Sequence, residues 1–157
     1  MALALPSVIR VCAQVGIGGV FVVAGALKAW DPQAFQVSVD SFRLLPYALT
    51  AVVALYLPWL EIVAGLIVVL GTWGARAGLA VLLTLTTAFM IALVIAWMRG
   101  LNPACGCFGP GAGSIATALL RDAALFLVAL WLLRRPAAPP ALLSAPRMAL
   151  PSAGCAS

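Results

Sequence analysis

Two cysteines separated by one glycine, Cys105 and Cys107, lie in the glycine- and proline-rich stretch NPACGCFGPG at residues 102–111. In an extended chain, residues two apart have alpha carbons near the outer limit for a disulfide, and Gly106 can adopt the positive φ that lets the bond close. A strained disulfide is easily reduced, and a loop this short restricts the unfolded chain little. The spacing therefore favours a reversible dithiol and disulfide site over a structural cross-link.

Two other interpretations of this pair stay open. Two soft thiolates can bind Cu(I) or another thiophilic ion, and the pair can also be inert or purely structural. The chain has no histidine, which excludes Ser-His-Asp catalysis and histidine-containing zinc sites. Of the remaining cysteines, Cys12 is expected to be a small buried hydrophobic residue, and nothing near Cys155 indicates activation.

Charged residues inside apolar segments are the second candidate feature. Glu61, Arg121 and Asp122 fall within such segments, where an ionised side chain costs about 2.5–3.5 kcal/mol at the bilayer centre. We therefore expect Glu61 and Arg121 to pair in a buried polar cluster beneath the Cys105 loop, with Lys28 able to join. The cluster could fix helix docking, or a positive charge could favour a reactive thiolate; Arg99, six residues before Cys105, is the best candidate for that charge.

The composition indicates what must position these residues. The 157-residue chain is 65% hydrophobic and 8% charged, with a mean hydropathy of +1.17, which indicates an integral membrane protein. Its nine Lys and Arg are scattered near the ends of apolar runs, so we expect a lipid bilayer and no nucleic acid as partner. Four runs are each long enough for a transmembrane helix: residues 8–27, 47–70, 77–98 and 115–133. The predicted fold is an all-α integral membrane protein, a four-transmembrane-helix bundle.

Within this plan, residues 1–135 are predicted to form the membrane domain and the Pro/Ala-rich residues 136–157 a disordered tail. The first segment is interpreted as a spanning helix rather than a cleaved signal peptide, because its apolar run is long. Pro58 is expected to kink or interrupt the second helix, in which case residues 41–57 could form an interfacial piece. Gly16 and Gly19 could let another helix approach the first one closely.

Lys and Arg are distributed unequally between the two sets of loops. The side with both termini carries five of them and the other side three: Arg10, Arg76, Arg134, Arg135 and Arg147 against Lys28, Arg43 and Arg99. The positive-inside rule then predicts cytoplasmic termini in a bacterial inner membrane. The Cys105 loop is placed outside, where disulfides persist.

The segments AGALKAWDPQAF, FRLLPYAL, LPWLEIVAGLIVVLG, RGLNPACGCFG and LLRDAALFLVAL resemble the MauE family within the DoxX-like group of small four-helix membrane proteins. The resemblance covers about residues 10–133 and implies a role in disulfide formation or maturation of an exported protein in methylamine metabolism. It also implies a periplasmic thioredoxin-like partner. The positions that match the family pattern are Lys28, Glu61, Arg99, Cys105, Cys107, Phe108, Gly109 and Arg121. Asp122 departs from that pattern, which has an uncharged polar residue there.

Together these features favour a membrane thiol-disulfide oxidoreductase. Cys105 and Cys107 would be the catalytic pair, exchanging with the thioredoxin-like protein on behalf of a disulfide-containing exported client. A membrane quinone is a candidate electron acceptor, although no sequence motif supports it. The alternatives are a thiolate-based copper or mercury binding or transport protein, and a non-catalytic membrane scaffold; no residue is assigned to a metal site.

Overall fold

The computed structural model describes residues 4–71, 74–101 and 115–134 of the chain. The stretch with Cys105, Cys107, Phe108 and Gly109 lies outside these residues, and so does the tail predicted for residues 136–157.

The described residues form five helices and no strand: α1 (Ala4–Trp30), α2 (Pro32–Ser41), α3 (Tyr47–Val69), α4 (Ala75–Met98) and α5 (Ile115–Arg134). All except α2 are long and apolar enough to cross a membrane. At about 1.5 Å per residue, even 20 residues extend roughly 30 Å, the thickness of the hydrocarbon core. The predicted all-α fold with four spanning helices is therefore confirmed.

The short helix α2 was not predicted, although its start carries a recognisable signal. Asp31 is the N-cap, and its side chain accepts a hydrogen bond from the backbone N–H of Ala34 at 2.9 Å. Pro32 follows at the first helical position, where its missing N–H costs nothing. The helix places Phe35 in the protein interior, with 5% of its surface exposed.

Pro58 does not divide the second spanning segment. Helix α3 is continuous through Pro58, and the span begins at Tyr47, so the alternative of a separate interfacial piece up to Leu57 is wrong. Pro58 is fully buried, and tertiary packing around it compensates for the backbone hydrogen bond that proline removes.

Glycines allow α1 and α3 to pack closely. A Cβ atom at Gly18 would lie 2.7 Å from the carbonyl oxygen of Gly65, and one at Gly25 would lie 2.7 Å from that of Pro58. The glycines expected to make such contacts, Gly16 and Gly19, have open space where a Cβ would be. Gly18 and Gly25 are seven residues apart, which is about two turns, so they share a face of α1, whereas Gly16 and Gly19 are turned away from that face by roughly 160° and 100°.

Two hydrophobic clusters lie in the bundle, on either side of the buried charged residues Lys28, Glu61 and Asp122. The first includes Ile17, Val68, Leu82 and Leu132. The second consists of Phe42, Leu93, Ala96, Ile115 and Ala118, with Leu101 packed against it. Leu101 and Ile115 flank residues 102–114, so the residues on both sides of the cysteine-containing segment pack in this second cluster, which we call the loop-end cluster.

Candidate functional site

A buried salt bridge joins α1 to α3. The ammonium Nζ of Lys28 donates to both carboxylate oxygens of Glu61 at 2.6 Å, and the two residues are 8% and 6% exposed. The Nζ also lies 5.4 Å from the centroid of the Phe35 ring, within range of a cation–π interaction. One lysine of α1 is thereby held by residues from α2 and α3.

A second charged pair lies on α5. Arg121 Nε donates to Asp122 Oδ1 at 3.0 Å, and Asp122 is 5% exposed. The other oxygen, Asp122 Oδ2, is buried and accepts no hydrogen bond from any residue that the structure describes. Such an oxygen is costly to bury without a donor, because it has lost its hydration.

Both pairs line one cavity of about 70 Å³ between all five helices. The four charged groups sum to zero, which lets them share an environment of low polarity. The rest of the wall is mainly apolar, with one hydroxyl: Val20, Phe21, Ala24, Phe35, Leu57, Leu85, Thr86, Phe89 and Leu125. Thr86 donates its hydroxyl hydrogen to the carbonyl oxygen of Leu82 at 2.8 Å, as is common for threonine within a helix.

The structure thus brings together Lys28, Glu61 and Arg121, as expected of a buried polar cluster. It pairs Glu61 with Lys28 rather than with Arg121 as expected, and it adds Asp122 as a partner of Arg121. Sequence reasoning missed Phe35 and Phe89, since an apolar residue on an apolar helix gives no signal of which wall it forms. Phe35 could have been suspected from the helix start at Asp31.

Arg99 lies at the C-terminal end of α4, and Ala75 lies at the other end. The segment with the cysteines follows shortly after Arg99. Its guanidinium donates to the backbone carbonyl oxygen of Arg43 at 3.2 Å, and both residues are exposed. Arg43 has a φ of 48°, an uncommon conformation for a residue with a side chain. Arg99 therefore links α4 to the connection between α2 and α3 at the loop end.

Cys12 is exposed on α1, so the expectation that it is a buried hydrophobic residue is wrong. The outer face of a membrane bundle contacts lipid, and a small apolar side chain is tolerated there as readily as inside. The roles predicted for Cys105, Cys107, Phe108 and Gly109 concern positions outside the described residues. Within the described ranges, no group of three or more cysteine or acidic residues could hold a metal ion.

The profile of one protein family, described as "Methylamine utilisation protein MauE", matches residues 6–135 of the chain. No curated protein and no solved structure gave a significant match. The matched region contains all five helices except the first two residues of α1, together with both charged pairs and the segment that carries Cys105 and Cys107. The chain therefore belongs to the MauE family and is a multi-pass membrane protein associated with methylamine utilisation.

Proposed function

We propose that this chain is a membrane thiol-disulfide oxidoreductase in which Cys105 and Cys107 form the reactive pair. The proposal includes a thioredoxin-like partner, an exported client that acquires disulfides, and a location of the pair on the extracytoplasmic face of a bacterial inner membrane. The observation that carries it is the single-glycine spacing of two cysteines in a segment whose flanking residues, Leu101 and Ile115, belong to the same cluster at one end of the bundle.

The bundle supports this chemistry by holding the residues on either side of the segment. Leu101 and Ile115, which flank residues 102–114, both pack in the loop-end cluster, where Phe42 and Phe89 also pack edge to face with centroids 6.1 Å apart. Arg99 precedes the segment and is held on the carbonyl of Arg43, so its positive charge stays at this end of the bundle. Positive charge near a thiol favours the thiolate, which is the form that attacks a disulfide.

The exchange proceeds in two steps with balanced electrons. A thiolate of the reduced partner attacks one sulfur of the Cys105 and Cys107 disulfide, forming a mixed disulfide and releasing the other cysteine as a thiolate. The second thiolate of the partner then attacks the partner's first sulfur in that mixed disulfide and releases the remaining cysteine of this chain as a thiolate. The partner is then oxidised, and Cys105 and Cys107 are both reduced. The partner passes its disulfide to the client, and the pair must be reoxidised by an acceptor that takes two electrons.

The test replaces both cysteines of the pair by serine in cells that otherwise lack this chain. We expect client disulfides to remain unformed and the thioredoxin-like partner to accumulate in its reduced form, measured by thiol alkylation and mass shift. A single Cys105→Ser or Cys107→Ser variant should trap a mixed disulfide through the cysteine that remains. The matched control is Cys12→Ser with Cys155→Ser, which should oxidise the client normally.

Unchanged client oxidation in the Cys105→Ser/Cys107→Ser variant would refute the proposal. If that variant also retained normal growth on methylamine, the scaffold alternative would be favoured. Stoichiometric copper or mercury in the purified native chain, lost in the same variant, would favour the metal-binding alternative. The redox proposal expects these metals well below one per chain.

A further inference from the structure

The cavity among the charged pairs has an unused binding capacity. Asp122 Oδ2 is an acceptor on a residue that is 95% buried, and no described residue donates to it. Lys28 has three N–H donors and makes its two hydrogen bonds to Glu61, so one donor is available for another oxygen. A ligand that fits this cavity therefore offers a hydroxyl group to Asp122 and a carbonyl-type oxygen to Lys28. The two groups can be present together, or they can belong to two interconverting redox states of the ligand.

The wall indicates that the ligand is also apolar. Sites for small molecules are mostly apolar with a few polar groups at defined points, and this cavity has three phenylalanine rings: Phe21, Phe35 and Phe89. Aromatic side chains pack well against a flat ring. The cavity lies between helices that can cross a membrane, so a ligand dissolved in the bilayer has a shorter path to it than a ligand dissolved in water.

We propose that this cavity receives one end of the ring of a membrane-soluble quinone, which serves as the electron acceptor of the thiol pair. This rests on the proposed function, which requires an acceptor. The reduced pair loses two S–H hydrogens and gains an S–S bond, and the quinone gains two O–H bonds to become the quinol. Lys28 donates to a carbonyl oxygen of the quinone, and Asp122 Oδ2 accepts from a hydroxyl group of the quinol.

The cavity suits one end of such a ring. Its volume of about 70 Å³ exceeds the roughly 10–15 Å³ that a single water requires by about fivefold. It adjoins the loop-end cluster, since Phe89 lines the cavity and also packs on that cluster. Arg121 is six residues after Ile115, or about 9 Å along α5. The cavity therefore lies about two helical turns along α5 from Ile115, the first described residue after the cysteine-containing segment.

The test measures binding of ubiquinone-1 to the full chain in lipid nanodiscs by quenching of tryptophan fluorescence, with empty nanodiscs as the blank. We expect saturable binding that Asp122→Leu weakens by at least about tenfold, the loss of roughly one hydrogen bond to a charged group. Leu125→Phe, which fills the cavity without removing a charge, should weaken it similarly. Thr87→Val is the control, because Thr87 lies on an exposed face of α4 away from the cavity.

Absence of saturable binding by the native chain would overturn the proposal, as would unchanged affinity in folded Leu125→Phe. If Asp122→Leu does not fold, the affinity of Leu125→Phe for ubiquinone-1 provides the test. The Cys105→Ser/Cys107→Ser variant separates this proposal from the proposed function, because it should bind ubiquinone-1 with unchanged affinity. Quinone binding without any effect of the cysteines on client oxidation would leave the cavity assignment in place and refute the thiol chemistry.

Discussion

At the scale of single residues, the salt bridge of Lys28 and Glu61 is the most constrained feature of the bundle. Its two members are 33 positions apart in sequence, and each is less than 10% exposed. Removing one member of a buried pair leaves an uncompensated charge, whereas replacing both can be nearly neutral. The pair therefore makes a distinctive prediction about stability.

We expect Lys28→Met to lower the free energy of unfolding by about 3–5 kcal/mol, because Glu61 is then left as a buried carboxylate without its cation. Glu61→Gln should cost less, since the amide oxygen still accepts from Lys28. The double variant Lys28→Met/Glu61→Leu should recover much of the loss. Reversible unfolding in mixed detergent micelles measures all three, and additive effects in the double variant would contradict the pairing.

At the scale of elements, the contact between α1 and α3 depends on which glycines face the partner helix. A Cβ atom at Gly25 would meet the backbone of Pro58 and the side chain of Ile62, whereas one at Gly16 would meet nothing within 4 Å. Both residues lie in the same helix, so they share the same intrinsic effect of replacing glycine by alanine. The difference between them isolates helix packing.

Gly25→Ala is expected to destabilise the bundle by about 1–3 kcal/mol, because its Cβ would lie 2.7 Å from a backbone oxygen that cannot move aside. Gly16→Ala should be neutral or slightly stabilising. Melting temperatures of the two purified variants provide the comparison. Equal melting temperatures would show that α1 and α3 do not pack as described.

The short helix α2 depends on its N-cap. Asp31→Ala should weaken α2 by about 1 kcal/mol, since the N–H of Ala34 loses its acceptor. Backbone amides of α2 should then exchange with deuterium about fivefold faster, as measured by mass spectrometry of peptides from residues 32–41. Asp40→Ala removes the same charge from the exposed end of the helix without removing the cap, and equal exchange in both variants would refute the role of Asp31.

At the scale of the whole molecule, the bias of five Lys and Arg against three predicts which end of the bundle faces the cytoplasm. The loop-end cluster, the cavity and the cysteine pair would then all be on or near the extracytoplasmic side. This orientation decides whether a periplasmic partner can reach the pair.

A membrane-impermeant maleimide should label Cys105 and Cys107 in intact, mildly reduced cells whose chain carries Cys12→Ser and Cys155→Ser. Permeabilising the outer membrane alone should allow the maleimide to label both cysteines. A chain that keeps Cys155 and lacks the other cysteines is the matched control, and it should react only after the inner membrane is opened. The reverse labelling pattern would invert the predicted topology and remove the basis for exchange with a periplasmic protein.

The amino-acid sequence by itself determined the number of spanning helices and their bounds to within a few residues. It could do so because each spanning helix forms all its backbone hydrogen bonds within its own segment, so an apolar run of sufficient length specifies it locally. The same locality made the polar cluster predictable, since a charge inside such a run requires a partner. The reactive role of Cys105 and Cys107 is predicted from spacing alone and concerns positions outside the described residues.

Only the tertiary structure decided which partners meet. The pairing of Lys28 with Glu61, the continuity of α3 through Pro58 and the choice of Gly18 and Gly25 over Gly16 all depend on how α1 is rotated against α3. That rotation is set by packing summed over both helices, and adjacent faces of an apolar helix are too alike in sequence to reveal it. The cavity at Asp122 follows from the same packing, because its wall combines side chains from five helices that no local pattern relates.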